Sequence, residues 1–411
     1  MISVNKNKLA SWGNIVKNDL KWESSKKSSL SKLDIGNLNS YGDCCLPSES
    51  ISKEIKSNIV VNTVIEYESQ NNSYLYGTPG KSNVTIGGAI ASDTHGKDND
   101  WGGSFYRNIK SLTLNINGEE IKTSRDQNSE IFDATIGGYG LTGTISNVEV
   151  IKSNIPINKN YETQINAGSG INNLLHSFNT LHNEFWVGWI DLLNDKFRWV
   201  TKKSIPSGEN PNNPKTKDDK AFDFSVPFIG NNRFNILGII NMLYYGLNKN
   251  SNNKIIDYYQ TFYPLSVLTD TRNISLKRKI IQVQFSLPIE YEFELERLLT
   301  KLVKNQKPLL CSIKKLANQK IVNNLSFYQH GWTIAVDFPY ESFNKDEIEK
   351  FYDELASFYG KIYLAKDLTL GKKNFRKMYP ESLEWEKIVK EIDPKNTYQS
   401  QLSNRLGLKK W

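Results

Sequence analysis

The chain has 411 residues and a formal net charge of +8, from 52 Lys and Arg against 44 Asp and Glu. This length excludes a single small module and allows two domains, each with its own hydrophobic core. The positive charge favours an anionic partner, such as a nucleotide cofactor, a phosphorylated substrate or an anionic membrane surface, and it favours nucleic acid least.

The three cysteines, Cys44, Cys45 and Cys311, form neither a disulfide framework nor a Cys/His spacing suited to a metal ion. No metal site is therefore predicted. The first thirty residues contain no apolar core, so no secretory signal peptide is expected. A reducing cytoplasm is the expected compartment.

The first region of the chain, about residues 30–155, is rich in Gly, Thr and β-branched residues, which predicts strands and tight turns. The stretches that carry this prediction are SNVTIGG (82–88), IKSLTLNINGEEIKT (109–123) and TISNVEVI (144–151). Asn117 and Gly118 stand between two alternating apolar runs, which predicts a β-hairpin.

Residues 137–143, GGYGLTG, contain a formal GxGxxG spacing. A dinucleotide-binding fold needs a strand before these glycines and a helix after them. Here SEIFDATIGG (129–138) has helical spacing and TGTISNVEVI (142–151) alternates like a strand, so a Rossmann fold is disfavoured. Glycine-rich turns at 36–43, 87–88 and 137–138 instead predict backbone amides that approach a large planar or pyrophosphate-bearing ligand.

The second region, about residues 156–360, mixes helical and strand patterns with many aromatic residues. Its polar stretch IPSGENPNNPKTKDDK (205–220) predicts a mobile surface loop. The apolar stretch FNILGIINMLYYGL (234–247) is too short to span a bilayer and predicts a core helix, with contact to a lipid surface as the alternative. From residue 360 onward, GKIYLAKDLT (360–369) predicts a strand followed by helices.

Two long stretches, TPGKSNVTIGGAIASDTHGKDNDWGGSF (78–105) and EIFDATIGGYGLTGTI (130–145), resemble the flavin-binding core of the vanillyl-alcohol-oxidase-type FAD proteins. Shorter landmarks keep the order of that family over most of the chain: SYGD (40–43), FYPL (262–265), QVQFSLP (282–288), GWTIAVDFP (331–339), IYLAKD (362–367) and MYP (378–380). Within the family, the chain most resembles the bacterial members that oxidise polyprenyl-phosphate-linked pentoses.

The resemblance implies an α+β fold in which a two-subdomain FAD-binding domain carries an inserted substrate domain built on an antiparallel sheet. The implied boundaries are 1–155 for the FAD-binding domain, 156–360 for the substrate domain and 361–411 for a segment that returns to the FAD domain. The stretch between SYGD and TPG is shorter than in relatives, so the first FAD subdomain is shortened. Leu38 stands where relatives have a glycine.

The resemblance also implies a site. Its expected catalytic residues are Lys366, His95 and Tyr41, where His95 accepts or donates a proton and Lys366 favours negative charge on the reduced ring or holds the substrate. The residues expected to hold FAD, without a covalent bond, are Gly36, Ser40, Tyr41, Gly42, Asp43, Pro79, Gly80, Gly87, Gly88, Ala89, Ser92, His95, Gly96, Gly137, Gly138, Gly140, Leu141, Gly143, Ile145 and Tyr363. Those expected to contact the substrate are Trp189, Tyr263, Gln284, Lys315, Thr333 and Lys366.

The function that the resemblance implies is oxidation of a secondary hydroxyl of a polyprenyl-phosphate-linked pentose to a ketone, at the inner membrane surface. A separate NAD(P)H-dependent reductase would then complete an epimerisation in cell-wall or surface glycan synthesis. Two alternatives stay open at this point. One is an FAD oxidase of a soluble sugar, alditol or aldonolactone. The other is a non-catalytic binding subunit that has lost FAD together with part of its first subdomain.

Overall fold

A computed structural model describes residues 8–10, 17–19, 40, 42–46, 63–157, 160–178, 184–207, 234–249, 251, 253–263, 279–319 and 325–411. Within these ranges helices are mixed with antiparallel sheets, which confirms the α+β class. Gly36, Tyr41 and most of the loop predicted at 205–220 lie outside the described residues.

The strands of the described residues form three sheets. The bounds are β1 (Lys8–Ala10), β2 (Lys17–Asp19), β3 (Ile109–Ile116), β4 (Glu119–Ser124), β5 (Thr144–Val150), β6 (Asn160–Ser169), β7 (Phe185–Asp191), β8 (Arg198–Ser207), β9 (Lys254–Asp257), β10 (Ile280–Pro288), β11 (Leu310–Leu316), β12 (Gly331–Pro339) and β13 (Lys361–Ile362). β1 pairs with β2, a small sheet has the order β4-β3-β5, and a large sheet has the order β13-β10-β12-β11-β7-β8-β6-β9.

The helices surround these sheets. Their bounds are α1 (Val64–Asn71), α2 (Ile86–Ser92), α3 (Asn99–Gly102), α4 (Ser129–Thr135), α5 (Ile171–Ser177), α6 (Phe234–Lys249), α7 (Tyr258–Phe262), α8 (Leu295–Val303), α9 (Lys345–Ser357), α10 (Lys372–Met378), α11 (Ser382–Ile392) and α12 (Gln401–Leu406). Short 3₁₀ turns occupy Phe105–Asn108, Ile289–Glu294 and Tyr340–Ser342.

Two local predictions in the first region are confirmed. Asn117 and Gly118 turn the chain from β3 into β4 with φ angles of 55° and 105°, the left-handed backbone that this dipeptide favours. Helix α4 precedes the GGYGLTG glycines and strand β5 follows them, so the order is the reverse of a dinucleotide-binding motif.

The strand predicted at SNVTIGG is wrong, because these residues begin helix α2. Thr85 is the N-cap of α2, and its hydroxyl accepts a hydrogen bond of 3.1 Å from the amide of Gly88. A capped amide favours the helical start over an extended chain. Gly87 and Gly88 are therefore first-turn residues of a helix and do not form a turn.

The large sheet has one apolar face and one polar face. Alternate residues of β10, namely Ile281, Val283 and Phe285, pack with the leucines of α8 and the aromatic side chains of α9 in the main hydrophobic core. The intervening residues Gln282, Gln284 and Ser286 point to the opposite face, since successive side chains of a strand alternate. The polar face is therefore free of that core and available for a site.

Helix α6 is present as predicted, but its assignment to the core is wrong. It buries Asn241, whose Nδ2 donates to Asp191 Oδ1 at 2.8 Å, because its inner side rests on polar positions of the large sheet. Its outer side exposes aliphatic residues, namely Ile239 (50%), Met242 (50%), Leu243 (56%) and Leu247 (76%). No helix among the described residues has both the length and the apolar character needed to cross a bilayer.

Candidate active site

His95 lies just beyond helix α2, in a segment that the protein fixes from both sides. Helix α2 ends at Ser92 and is capped by Asp93 (φ 42°), whose Oδ1 accepts from the amide of Tyr106 at 3.0 Å. The amide of Phe105 donates to Thr94 O at 2.8 Å. The buried imidazole of His95 packs against the rings of Phe327 and Tyr363, at 5.5 and 5.3 Å between centroids. The ring therefore has one fixed orientation towards the large sheet.

The imidazole of His95 is bound to the polar face of the sheet. Gln284 Nε2 donates to His95 Nε2 at 2.9 Å and to Thr333 Oγ1 at 3.0 Å. With the amide in this orientation, His95 accepts at Nε2 and carries its proton on Nδ1. Nδ1 is buried and has no hydrogen-bond partner in the part of the chain that the structure describes. The Nδ1–H of His95 is therefore a donor that a bound molecule could accept from.

Burial, together with two nearby positive charges, keeps this histidine neutral. Burial lowers the pKa of His95 well below its usual value, and the ammonium groups of Lys314 and Lys366 lower it further. Burial also lowers the pKa of Lys314 and of Lys366, to about 8 each. Asp98 partly opposes the shift at Lys314, and Asp337 that at Lys366. The site therefore combines a neutral histidine with two cations that titrate near physiological pH.

Lys314 is a site residue that the sequence reasoning did not name. In the sheet register Lys314 of β11 pairs with Thr333 of β12, and Thr333 pairs with Ser286 of β10. Paired residues lie on the same face of a sheet, so the side chain of Lys314 lies on the face that carries Ser286 and Gln284. Lys315, the residue expected from the resemblance, pairs with Trp332 on the other face, and its Nζ lies 6.0 Å from that indole ring. Successive side chains of β11 point to opposite faces of the sheet, and the register of β11 against β12 decides which of the two lysines shares the face of Gln284.

The glycine-rich segments meet beside the histidine. The amides of Gly137 and Tyr139 donate to the carbonyls of Ile90 and Ala91 at 3.0 and 2.8 Å. The hydroxyl of Tyr363 donates to Ser92 O at 2.9 Å. Helix α2, the turn after α4 and the segment after β13 therefore form one continuous wall.

Only some of the glycines leave room for a ligand. A Cβ on Gly138 would lie 2.3 Å from Ala134 O, and one on Gly96 would lie 2.9 Å from Thr78 O, so protein packing requires glycine there. A Cβ on Gly80 would meet no heavy atom within 4 Å. Gly80 therefore lines open space, which is the property expected of a glycine that a bound molecule approaches.

The turn at 42–46 rests directly on the turn that carries Lys366. A Cβ on Gly42 would lie 2.1 Å from Asp367 O, so the two backbones touch. Asp43 is buried and accepts two hydrogen bonds of 2.9 Å from Arg405. The thiol of Cys44 donates to Ser40 Oγ at 3.3 Å. These contacts bring Ser40, Gly42 and Asp43 to the same end of the site as Lys366.

The other residues expected at the site are spread over several elements. Trp189 faces Ser312 across β7 and β11, two positions from Lys314, and its ring packs on Tyr244 of α6 at 4.9 Å. Tyr263 is buried, and its hydroxyl donates to Glu68 Oε2 at 2.7 Å in an aromatic cluster with Tyr258. The remaining expected positions lie in the loop before α2 (Pro79), in α2 (Gly87, Gly88 and Ala89), in the turn after α4 (Gly140, Leu141 and Gly143) and in β5 (Ile145).

Comparisons with known proteins bear on the identity of this site. No family model matches the chain. The chain is 25% identical over 351 residues to decaprenylphosphoryl-β-D-ribose oxidase of Mycolicibacterium smegmatis, and the alignment covers 80% of this chain and 75% of that protein. It is 39% identical over 67 residues to an uncharacterised protein in the mprA 5′ region of Streptomyces coelicolor, over 16% of this chain and 18% of that protein.

The chain is a distant relative of an oxidase. The particular relative is decaprenylphosphoryl-β-D-ribose oxidase, and the resemblance expected from the motifs is thereby confirmed.

Proposed function

We propose that the protein is an FAD-dependent oxidoreductase that oxidises a secondary hydroxyl of a pentose linked to polyprenyl phosphate. The observation that carries the proposal is the convergence of His95, Gln284, Lys314 and Lys366 at the polar face of the large sheet. These residues come from four separate segments, in a chain related to an oxidase of a phosphate-linked ribose. In this proposal residues 1–155 and 361–411 hold the cofactor, and residues 156–360 hold the substrate.

The residues present fit FAD. Gly80 lines open space, and the wall formed by α2 and the turn after α4 lies beside His95; backbone amides in such glycine-rich segments can approach a pyrophosphate. Gly42, Gly137 and Tyr363 would hold the ring system from the side of Lys366. FAD, when bound, supplies the hydride acceptor for the reacting carbon. The protein's contribution is orientation and charge.

The substrate would be held by residues of the sheet. Lys314 and Lys366 are cationic below pH 8 and can bind a phosphate. The Nδ1–H of His95 can donate to the substrate hydroxyl oxygen, and the amide of Gln284 fixes the imidazole in that tautomer. Because the pKa of Lys366 is near 8, part of the protein at physiological pH carries a neutral amine there, and this form would take up the hydroxyl proton while Lys314 keeps a charge that binds the phosphate.

A lipid-linked substrate would bring the protein to a membrane surface. The exposed aliphatic side of α6 supports this proposal, because the same helix touches Trp189 on the polar face through Tyr244. The ketone product would then be reduced by a separate NAD(P)H-dependent enzyme, which completes an epimerisation used in cell-wall or surface glycan synthesis.

The test is the visible absorption spectrum of the purified protein, before and after addition of FAD. Flavin bands that bleach anaerobically with a polyprenyl-phosphate pentose, and more slowly with the free pentose, support the proposal. Equal bleaching by both sugars would assign a soluble sugar as the substrate. A colourless protein that leaves the spectrum of added FAD unchanged would overturn the assignment of the cofactor.

A further inference from the structure

We infer that residues 393–411 act as a positioning element for the cofactor site, through the two cationic side chains Arg405 and Lys409. The inference rests on the proposed function, because it assigns a purpose to contacts with the turns proposed to hold FAD. Neither residue touches the substrate face of the sheet, so both are positioning residues and not catalytic ones.

Arg405, on helix α12, joins the turn at 42–46 to the turn at 366–370. Its Nε and Nη2 donate to the two carboxylate oxygens of Asp43 at 2.9 Å each. Its Nη1 lies 2.8 Å from Asp367 Oδ2 and donates to Leu370 O at 2.7 Å. Asp43 follows Gly42 and Asp367 follows Lys366, so one guanidinium fixes both flanks of the place where those backbones touch. A planar fork with five donors suits this arrangement, whereas a lysine would not.

Lys409 contacts a third turn, the glycine-rich turn at 137–143. Its buried ammonium donates to Leu141 O at 2.9 Å, to Tyr398 O at 2.8 Å and to Asp393 Oδ2 at 2.7 Å. Leu141 lies within GGYGLTG, two residues after the amide of Tyr139 that bonds to helix α2. Three acceptors satisfy all three donors of the ammonium. Lys409 therefore helps to hold the turn at 137–143 in place beside helix α2.

The amide of Gln401 adds a further link, because it donates to Leu46 O at 2.9 Å at the end of the 42–46 turn. Segment 393–411 thus reaches the turn at 42–46, the turn at 366–370 and the turn at 137–143. The segment places a buried cation, Lys409, and a partly buried one, Arg405, on these turns. The geometry points to a brace that sets their relative positions before FAD arrives.

The test compares adjacent lysines. Lys410 is exposed and next to Lys409, so Lys410→Met is a matched control. Lys409→Met alone leaves the buried Asp393 carboxylate without its cation, and the test variant is therefore Lys409→Met with Asp393→Asn. Each protein is measured for its FAD dissociation constant by fluorescence quenching, for its melting temperature without FAD, and for amide hydrogen exchange. Arg405→Lys is measured in parallel and compared with Arg405→Met.

We expect the double variant to bind FAD about tenfold more weakly, because FAD must then order the 137–143 turn that Lys409 no longer holds. Its melting temperature without FAD should fall, because the carbonyls of Leu141 and Tyr398 lose a buried donor, and faster exchange should be confined to peptides of 137–143 and 393–411. Arg405→Lys should bind FAD more tightly than Arg405→Met. Wild-type FAD affinity and wild-type exchange in the double variant would overturn the inference.

Failure of the proposed function is distinguishable from failure of this inference. If the wild type itself does not bind FAD, the proposed cofactor is wrong and the inference fails with it, whereas FAD binding by the wild type with unchanged FAD affinity in the double variant overturns the inference alone. Faster exchange spread evenly over the whole chain would show that Lys409 is merely structural, and would also overturn it.

Discussion

Gln284 and His95 are joined by a hydrogen bond of 2.9 Å that connects strand β10 with the segment beyond helix α2. The bond fixes the imidazole as a neutral ring with its proton on Nδ1, and that proton has no acceptor among the described residues. A buried donor without a partner costs free energy, so its retention is typical of a binding or catalytic site.

Replacing this histidine should abolish most of the turnover. For His95→Ala we expect a fall of about 10²- to 10⁴-fold in kcat, the usual contribution of a positioned proton donor or acceptor. The fold should persist, as judged by circular dichroism. The control is His176→Ala, since His176 is on helix α5 and its Nδ1 bonds to Asn172 O of its own helix. Wild-type rates in His95→Ala would remove His95 from the mechanism.

The two neighbouring lysines of β11 should behave differently. Lys314→Met should raise the KM of a phosphate-bearing substrate about tenfold to a hundredfold, because a charge-assisted hydrogen bond contributes about 1.5–3 kcal/mol. Lys315→Met should leave the KM near the wild-type value, since Lys315 lies on the opposite face beside Trp332. Steady-state kinetics with both variants measures the two KM values. A larger increase in KM for Lys315→Met than for Lys314→Met would contradict the assignment of Lys314 to the site from the sheet register.

Substrate affinity should fall at alkaline pH. The folded-state pKa values of Lys314 and Lys366 are lowered to about 8, so both ammonium charges are present below this pH and are lost as the pH rises through it. The KM of an anionic substrate should therefore increase above pH 8, whereas that of an uncharged sugar should change little. A KM for the anionic substrate that stays constant up to pH 9.5 would disprove the role of these charges.

Asp98 should limit stability at neutral pH. Burial raises its pKa from 3.8 to about 6, so in the folded state its ionisation is unfavourable. The cost is absent below the unfolded pKa, grows as the pH rises from 3.8 to 6, and is complete above 6. Asp98→Asn should therefore raise the free energy of unfolding at pH 8 by up to about 3 kcal/mol and at pH 4 by much less. Urea unfolding at the two pH values measures this difference, and an increment independent of pH would contradict it.

Gly80→Ala should separate cofactor binding from stability. The added methyl group meets no protein atom within 4 Å, so the protein without FAD should be unchanged or more stable by roughly 0.4–1 kcal/mol. FAD binding should weaken, because the methyl group enters the space proposed for the cofactor. Thermal melting and FAD titration measure the two effects. Unaltered FAD affinity would place the cofactor elsewhere.

Local patterns in the sequence predicted the elements whose cause is itself local. The Asn117-Gly118 hairpin and the helix-before-glycine order at 129–151 follow from turn chemistry and from the period of apolar residues. Helix α2 was missed because Thr85 and the residues around it favour strands, and only the cap formed by the Thr85 hydroxyl reveals the helix. The apolar stretch 234–247 predicted a helix correctly, but which side of that helix meets solvent depends on what the sheet presents to it.

The site was harder to predict, because it depends on pairings between distant strands. Lys314 and Lys315 are indistinguishable by composition, and the register of β11 against β12 separates them. Tyr263 belongs to a landmark motif, yet its hydroxyl is engaged by Glu68, a residue that no motif indicated. The placements of His95 and Lys366 came from the resemblance, and their roles remain predictions for the measurements above.

The reach of Arg405 and Lys409 also has a consequence for biosynthesis. The bond from Arg405 to Asp43 spans 362 residues, and the bond from Lys409 to Leu141 spans 268. Contacts so far apart in sequence close large loops, and they form late in folding. A nascent chain on the ribosome can fold its small sheet early, but its three turns stay unfastened until residue 409 has been synthesised. The FAD of the proposed function would therefore bind only after residues 405 and 409 have been synthesised and have reached these turns.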